Sequence, residues 1–289
     1  MPEAGTVAAV LAVVRSRLEA AGVPTPDVDA ALLVAHATGW SRARLRASGR
    51  VPLPFRAVEP LEALVRRRVA REPLQLLIGS VGFRHLDVEV RPGVFLPRPE
   101  TETLAGEAIA RLSPGDLVVE PCTGTGAVAC AVATEAGAVV HATDVSPEAV
   151  TLARANAAAV GARVEVVQGD LFAALPTHLR GRVDVVVSNP PYVAADEMGS
   201  LEPEVREWDP LAALVSGPTG HEVSDRLIAE APDWLRPGGW LLMEVDASRA
   251  AETARRCAAA GYVETAVVAD LAGRDRVVVA RLPRSDPGV

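Results

Sequence analysis

The sequence predicts an α/β fold in which a doubly wound sheet follows a small helical bundle and a β-hairpin. Strand and helix patterns alternate between residues 116 and 260, as is typical of a parallel sheet with helices on both faces. The predicted strands span residues 116–120, 139–143, 164–167, 183–188 and 240–245, and the predicted helices span residues 126–135, 147–160, 222–234 and 248–260. Two further strand patterns, at residues 263–268 and 277–282, have no helix between them, so they must pair antiparallel.

The chain before the sheet divides into two regions. Residues 1–75 predict a helical bundle, because apolar residues recur there at helical spacing, first at Val7, Val10, Leu11, Val14 and Leu18. This bundle has no recognisable catalytic chemistry, which favours a recognition or docking module. Residues 76–97 predict a β-hairpin linker with short strands at residues 81–83, 86–90 and 94–96. Residues 98–284 then form the sheet domain, and residues 285–289 form a tail.

The composition excludes several classes of protein. With 289 residues, 49% of them hydrophobic, and a net charge of −8, the chain describes a soluble globular protein with ample core. The acidic balance argues against binding to a nucleic-acid backbone, which needs clustered basic residues. The three cysteines fit neither a disulfide framework nor a zinc site, so they indicate a reducing compartment. No signal peptide or membrane span is indicated. We expect a cytoplasmic monomer with no metal and no direct contact with nucleic acid or membrane.

The fourth predicted strand ends in the sequence Ser-Asn-Pro-Pro-Tyr, residues 188–192. Because proline cannot continue a ladder, the chain is held in a stiff loop at the carboxyl end of a strand, where open α/β sheets bind ligands. The side-chain oxygen of Asn189 and the backbone carbonyl of Pro190 are two acceptors on one turn, which suits a planar NH2 group. Tyr192 is placed to cover the flat face of the substrate. The alternative is a proline-rich turn with Asn189 as a local cap.

This motif predicts a substrate site and its chemistry. The predicted substrate-binding residues are Asn189, Pro190, Pro191 and Tyr192, of which Asn189, Pro190 and Tyr192 are the candidate catalytic residues. Two fixed acceptors and an aromatic cover suit the alkylation of a nitrogen that is a poor nucleophile.

A glycine-rich loop joins the first strand of the sheet to its helix. Glycines there let backbone N–H groups approach a ligand closely at a helix N-terminus. The candidate cofactor-binding residues of this loop are Cys122, Thr123, Gly124, Thr125 and Gly126. The same pattern satisfies a dinucleotide-binding motif, with Asp144 at the expected spacing of about 20 residues.

Acidic residues follow the second and third strands. Asp144 can accept both hydroxyls of a ribose, and the alternative is that it caps the next helix. Ser146 at the cap and Pro147 at the first helical position would free Asp144 for the ligand. Asp170 would reach the edge of an adenine, with Leu171 as apolar cover, and the alternative there is an ordinary turn at the strand end.

The residues after the fourth strand distinguish two cofactors that both contain a ribose, the dinucleotide of a dehydrogenase and the S-adenosyl-L-methionine of a methyltransferase. A dehydrogenase has no use for Asn-Pro-Pro-Tyr, whereas an amino-group methyltransferase does. An α/β sheet that ends in an antiparallel hairpin is likewise the arrangement of S-adenosyl-L-methionine-dependent methyltransferases. The sequence therefore predicts a Rossmann-like class I methyltransferase with a seven-stranded sheet and S-adenosyl-L-methionine as cofactor, and Asn189 is a further candidate contact of that cofactor.

These residues resemble the HemK or PrmC family, which methylates a glutamine side chain of peptide-chain release factors. The resemblance covers nearly the whole chain. The sequence at residues 71–75, Arg-Glu-Pro-Leu-Gln, resembles the interdomain signature of the family. Residues 95–102, Phe-Leu-Pro-Arg-Pro-Glu-Thr-Glu, resemble its narrower proline-arginine-proline motif. Residues 188–192 match its active-site motif. The family usually has Asp-Leu-Gly or Asp-Leu-Cys where this chain has Glu120, Pro121 and Cys122.

The resemblance implies methyl transfer from S-adenosyl-L-methionine to the glutamine of the Gly-Gly-Gln motif in release factors. It implies that residues 122–126 hold the cofactor, that Asp144 binds the ribose, and that Asp170 and Leu171 lie beside the adenine. Residues 189–192 would bind the glutamine amide, and residues 1–75 would dock the release factor.

We expect Asn189 and the Pro190 carbonyl to aim the amide nitrogen at the methyl group, so that catalysis depends chiefly on orientation and needs no strong base.

Three alternative functions stay open at this point. A methyltransferase of the same lineage could act on another protein glutamine or on a small metabolite. A DNA adenine methyltransferase shares the tetrapeptide, but the charge of −8 opposes it. A binding protein could sense S-adenosyl-L-methionine without turnover.

Overall fold

The computed structural model describes residues 5–284, and the predicted tail at residues 285–289 lies outside them. The chain forms two compact units. Among the described residues, the helical unit contains residues 5–80 and, in addition, Pro203–Trp208. The sheet unit contains Val81–Glu202 and residues 209–284. The predicted domain boundaries stay predictions, and the structure adds that the helical unit is discontinuous along the chain.

The helices and strands follow one another in the predicted order, with several short additions. The helices are α1 (Val7–Ala20), α2 (Pro26–Thr38), α3 (Arg42–Ala47), α4 (Phe55–Val69), α5 (Leu74–Ile78), α6 (Thr101–Ile109), α7 (Ala127–Ala136), α8 (Pro147–Val160), α9 (Pro203–Arg206), α10 (Leu211–Leu214), α11 (Glu222–Glu230) and α12 (Ala250–Ala259). The strands are β1 (Ser80–Phe83), β2 (Leu86–Glu89), β3 (Leu117–Pro121), β4 (Val139–Asp144), β5 (Val164–Gln168), β6 (Val183–Ser188), β7 (Val193–Ala194), β8 (Val215–Gly217), β9 (Leu235–Glu244), β10 (Val263–Ala269) and β11 (Asp275–Arg281). Within residues 5–284, no helix is both long and apolar enough to cross a bilayer.

The helical unit packs around one apolar core. Helix α1 buries the face that the sequence predicts, with Val7, Val10, Val14 and Leu18 all inside. These residues recur every three or four positions, so they form one stripe that meets α2 and α4. Thr6 begins α1 by accepting a hydrogen bond from the Ala9 N–H, which satisfies a donor that has no partner inside the helix.

A buried ion-pair network crosses the helical unit. Arg68 of α4 is 5% exposed, and its guanidinium donates to Asp29 of α2 at 2.7 Å and to Glu204 of α9 at 3.0 Å. Arg71 donates to the same Glu204 carboxylate at 2.7 Å. A buried charge is tolerated only when it is paired, so these contacts hold α9 in the helical unit, although Glu204 lies 136 positions after Arg68 and 133 positions after Arg71.

The sheet of the sheet unit has seven strands in the order β10-β11-β9-β6-β3-β4-β5. Strands β3, β4, β5, β6 and β9 run parallel, whereas β11 is antiparallel to both β9 and β10. This arrangement confirms the predicted α/β sheet with an antiparallel hairpin at its end.

Each strand of the sheet contributes to two apolar layers. Val185 and Val187 of β6 face one layer, which also holds residues of α6, α7 and α8, while Val186 faces the other, with residues of α11 and α12. Successive side chains of a strand point to opposite faces, so a run of valines is buried on both sides. The apolar layers cover both faces of the sheet and hold the strands in place. The ends of the strands are therefore the part of the sheet that is left for the site.

Two predictions of secondary structure in the sheet unit were wrong, one of a strand and one of the end of a helix. Residues 94–96 form no strand, and Val94 instead packs against Ala149 and Leu152 of α8. The chain turns there because Gly93 adopts a φ of 84° directly before Val94. The helix predicted to residue 234 ends at Glu230 and continues as a short 3-10 turn that contains Pro232, because proline cannot donate the bond that would extend an α-helix.

The buried network yields a stability prediction for the helical unit. Asp29→Ala leaves Arg68 buried with one carboxylate partner removed, and breaking a buried pair in this way costs about 3 kcal/mol of unfolding free energy. Urea denaturation followed by circular dichroism measures the change. The matched control is Glu62→Ala, which breaks the more exposed pair with Arg17 at 2.8 Å and should cost about 0.2–1 kcal/mol. Equal losses in the two variants would contradict the prediction.

Candidate functional site

The predicted site residues gather at one edge of the sheet. Parallel pairing aligns Pro121 of β3 with Thr143 of β4, and Ser188 of β6 with Met243 of β9. The carboxyl ends of these strands therefore open at the same edge, where open α/β sheets bind ligands. The loops after β3, β4, β5 and β6 carry the candidates that the sequence predicts.

The glycine-rich loop is a tight turn between β3 and α7. Gly124 and Gly126 adopt positive φ values of 55° and 76°. A Cβ on Gly126 would lie 3.0 Å from the Cβ of Ala153 in α8, so only glycine permits this close packing of the two helices. The Thr123 N–H donates to the Thr143 carbonyl at 3.0 Å, which ties the loop to β4.

Asp144 ends β4 and braces the glycine-rich loop. One carboxylate oxygen accepts from the Gly124 N–H at 2.9 Å and the other from the Ser146 N–H at 3.0 Å. Ser146 caps α8 by accepting from the Ala149 N–H at 3.1 Å, as predicted. Asp144 therefore does not cap α8, although its two oxygens accept hydrogen bonds from N–H groups of two adjacent turns. Its contact with a ribose stays a prediction. Burial raises the pKa of Asp144, and each oxygen retains a further lone pair for a ligand hydroxyl.

Asp170 and Leu171 follow β5 in different environments. The exposed Asp170 carboxylate pairs with Arg226 of α11 through two contacts of 3.0 Å. Leu171 is buried with a φ of 47°, and its carbonyl accepts from the Thr143 hydroxyl at 2.6 Å. The structure therefore places Leu171 beside β4, and Asp170 at the surface.

Glu120 is a buried acid beneath the glycine-rich loop. It is 2% exposed and accepts from the Thr123 hydroxyl at 2.9 Å. Burial raises the pKa of Glu120 to about 8, so the carboxyl is mostly neutral near pH 7. The unusual Pro121 lies within β3, and its carbonyl accepts from the Ser188 hydroxyl at 2.7 Å. Glu120 and Pro121, which depart from the family pattern, thus both accept hydrogen bonds at this edge of the sheet.

The tetrapeptide begins directly after β6. Ser188 and Pro190 are buried, whereas Asn189, Pro191 and Tyr192 are half-buried at the sheet edge. The Asn189 side chain donates from Nδ2 to the Thr101 hydroxyl at 3.4 Å. Burial raises the pKa of the Tyr192 phenol, so Tyr192 stays neutral at physiological pH. The Ser188 hydroxyl donates to the carbonyl of Pro121, so the tetrapeptide starts beside the end of β3, which leads into the glycine-rich loop.

The proline-arginine-proline segment is anchored by an acid that sequence reasoning missed. Asp209 is buried, pairs with Arg98, and accepts from the Leu96 N–H at 3.2 Å. Asp209 lies in a stretch without helical or strand periodicity, so the sequence carried no signal for it. This anchor fixes the start of α6 and its first residue, Thr101.

Glu244 is a second acid that received no role from the sequence. It is the last residue of β9 and is 1% exposed, and the nearby Thr101 side chain lowers its pKa against the larger rise that burial causes. An acid that interrupts the apolar run of residues 241–245 is a signal that could have marked it.

Comparison with known proteins identifies the family. Residues 9–79 match the family described as PrmC N-terminal domain, and residues 108–201 match the family described as Methyltransferase small domain. The release factor glutamine methyltransferase of Mycolicibacterium smegmatis is 45% identical, over 93% of this chain and 95% of that protein. The one of Cereibacter sphaeroides is 43% identical, over 92% and 95%. The chain belongs to the release factor glutamine methyltransferase family.

A solved structure confirms the fold class. A methyltransferase from Pyrococcus furiosus superposes with a TM-score of 0.54 at 20% identity, covering 77% of this chain and 98% of that chain. Likeness at this identity shows the fold. The predicted family resemblance and the α/β methyltransferase fold are both confirmed, and the chain is a methyltransferase.

The strand ends fit the S-adenosyl-L-methionine that methyltransferases use. The glycine-rich loop leads into the N-terminus of α7, and Asp144 retains carboxylate lone pairs directly beside the loop. Cofactor use follows from the family, whereas the contacts of individual residues stay predictions. In the part of the chain that the structure describes, no group of three or more His, Cys, Asp or Glu side chains is arranged to hold a metal ion.

Asp144 provides a test of the cofactor site. Asp144→Ala removes a charged acceptor from the ribose and also releases Gly124, so affinity for S-adenosylhomocysteine should fall about 10-fold to 100-fold. Isothermal titration calorimetry measures the change. Asp233→Ala, which removes an exposed acid paired with Arg180, is the control and should bind normally. Unchanged affinity in Asp144→Ala would remove Asp144 from the ribose site.

Proposed function

We propose that this chain transfers the methyl group of S-adenosyl-L-methionine to the side-chain amide nitrogen of the glutamine in the Gly-Gly-Gln motif of peptide-chain release factors. Its relatives, the release factor glutamine methyltransferases, support this substrate class. One observation carries the proposal: the Ser188 hydroxyl donates to the Pro121 carbonyl at 2.7 Å, so the tetrapeptide lies directly beside the start of the glycine-rich loop.

The tetrapeptide suits a primary amide. An amide NH2 group has two donors in one plane, and the Asn189 Oδ1 and the Pro190 carbonyl are acceptors on one rigid turn. Pro190 is buried, which holds its carbonyl in place. Tyr192, neutral and half-buried, provides the flat cover.

The residues of the site act mainly by orientation. The lone pair of an amide nitrogen is delocalised, so the enzyme gains most by holding that nitrogen in line for attack. The cofactor supplies an electrophilic methyl group on a positively charged sulfur. Positive charge that develops on the nitrogen meets the fixed dipoles of Asn189 and Pro190. The alkylated nitrogen is acidic and loses a proton to water, so no strong base is needed.

The cofactor site in this proposal lies along the strand ends. The residues that would hold the cofactor are Cys122, Thr123, Gly124, Thr125, Gly126, Asp144, Asp170, Leu171 and Asn189. The loop lines the cofactor at the N-terminus of α7, Asp144 accepts hydrogen bonds from the ribose hydroxyls, and Asp170 and Leu171 lie beside the adenine. Asn189 borders both the cofactor and the substrate.

The helical unit is the release-factor-docking module of the proposal. Residues 9–79 match a domain that is named for this family. Phe55, the first residue of α4, is 87% exposed, and exposed aromatic residues are frequent anchors of protein interfaces. We place the reaction in the cytoplasm, where release factors act, and propose that the enzyme is a monomer.

A direct assay tests the proposed function. The protein is incubated with purified release factor and S-adenosyl-L-methionine that carries a labelled methyl group, and the label is located by peptide mass spectrometry. We expect the label on the glutamine of the Gly-Gly-Gln motif. Label on another protein glutamine, or on a small molecule alone, would overturn the substrate assignment.

Asn189 provides the sharpest test of the mechanism. Asn189→Ala should fold and bind S-adenosylhomocysteine nearly normally, while single-turnover methyl transfer falls by roughly 10²–10³, the usual loss for one preorganised polar contact. Asn189→Asp keeps an acceptor, so it should lose less transfer than Asn189→Ala. Thermal unfolding of both variants is the control. Near-normal turnover in Asn189→Ala would exclude the proposed role.

Phe55 tests the docking role of the helical unit. Phe55→Ala should raise the KM for intact release factor about 10-fold, a moderate loss for an interface anchor, and leave methylation of a short Gly-Gly-Gln peptide unchanged. Leu271→Ala, at a fully exposed turn between β10 and β11, is the matched control and should leave both substrates unaffected. Equal effects of Phe55→Ala on protein and peptide would argue against docking at this surface.

A further inference from the structure

Glu244 lies next to Asn189 at the sheet edge. Ser188 pairs with Met243 in the parallel register of β6 and β9, so the residues that follow them, Asn189 and Glu244, are neighbours. The Glu244 side chain is 1% exposed, and its Oε2 has no hydrogen-bond partner among residues 5–284. A buried acid with an unsatisfied oxygen is costly, which points to a role beyond packing.

Thr101 connects these two side chains. It is buried as the first residue of α6, and its side chain lies close enough to the Glu244 carboxyl group to lower the pKa of that acid. Its hydroxyl oxygen also accepts from Asn189 Nδ2 at 3.4 Å. The side chains of Glu244, Thr101 and Asn189 thus follow one another in a row, although they belong to three separate segments of the protein.

The direction of the hydrogen bonds along this row follows from the inventory of donors. A hydroxyl group has one hydrogen, and an ionised carboxylate only accepts. When Thr101 gives its hydrogen to Glu244, its oxygen is left to accept from Asn189. The Nδ2 end of the amide therefore faces Thr101, and the Oδ1 end faces the other way. The two ends of an amide are nearly identical in shape, so only the hydrogen-bond partners select between them.

We propose that Glu244 is a positioning residue that acts through Thr101 to hold the Asn189 amide with its Oδ1 towards the substrate glutamine. This inference rests on the proposed function, in which Oδ1 accepts a hydrogen bond from the substrate NH2 group. In the reversed orientation, Asn189 would turn its Nδ2 group towards the NH2 group of the substrate. Both groups are donors, so they would repel each other.

Protonation of Glu244 reverses the direction of the hydrogen bonds between Glu244, Thr101 and Asn189. Burial raises the pKa of Glu244 to about 7. Below that pKa, the carboxyl group can donate to Thr101, which frees the Thr101 hydrogen for Asn189 Oδ1 and favours the reversed amide. The groups that face Glu244 or its neighbour Tyr192 are Thr101, Arg276, Glu100, Arg98 and Asp246. The raised pKa means that the productive orientation is present above about pH 7 and is lost as the pH falls.

Three variants test this role in the full-length enzyme. Glu244→Gln keeps the size of the side chain but, like the protonated acid, it can donate to Thr101. Thr101→Val keeps the shape and removes the hydroxyl, and Thr101→Ser restores the hydroxyl. Thermal unfolding and S-adenosylhomocysteine binding show that each variant is folded. The measured quantity is single-turnover methylation of release factor, between about pH 6 and pH 8.5.

At about pH 8.5, Glu244→Gln and Thr101→Val should each lose about 10-fold in transfer, the value of one hydrogen bond, and Thr101→Ser should be near normal. The loss in Glu244→Gln should disappear near pH 6, where wild-type Glu244 is protonated. Glu120 also titrates in this range, but it is present in both enzymes and cancels in their ratio. A ratio that does not change with pH would overturn the proposal.

A double-variant cycle supplies the final check. If Thr101 acts through Asn189, Thr101→Val should cost nothing more in an Asn189→Ala background. Additive losses would overturn the proposal even where the wild-type enzyme methylates release factor. Absence of methylation by the wild type would instead overturn the proposed function, so the two failures are distinguishable.

Discussion

The site depends on the parallel register of β6 between its two neighbours. Val186 pairs with Val119 of β3 on one side, and Ser188 pairs with Met243 of β9 on the other. This register places the tetrapeptide beside the glycine-rich loop on one side and beside Glu244 on the other. A shift by one residue would turn each side chain of β6 to the opposite face of the sheet. The apolar layers on both faces therefore fix the position of Asn189 as well as the stability of the fold.

Much of this architecture was predictable from the sequence, because its signals are local. Runs of valine mark the buried strands, glycines mark the turns, and prolines after Ser188 mark the end of β6. The cap at Ser146 was also predictable, since a serine before a proline at the first helical position is a local pattern. The family resemblance rested on short motifs of the same kind.

The contacts that complete the site were not predictable, because they join segments far apart in the chain. Asp209 meets Arg98, and Glu244 meets Thr101, across more than a hundred residues of sequence. The hydrogen bond between Asp144 and the glycine-rich loop was not predictable for a related reason. Its partner at Gly124 belongs to a different loop, and the sequence does not show which N–H groups face a carboxylate. The periodicity of apolar residues predicts helices and strands, but it does not predict which side chains contact one another where those helices and strands end.

The discontinuity of the helical unit constrains how this protein can be rearranged. Glu204 supplies a carboxylate to Arg68 and Arg71, yet it belongs to a stretch of chain between Tyr192 and Asp209. A chimera that exchanges the first 80 residues for those of a relative would therefore mix the arginines of one parent with the acid of another. The helical unit is inherited as two pieces of sequence, and substitutions in one piece restrict which residues the other piece accepts.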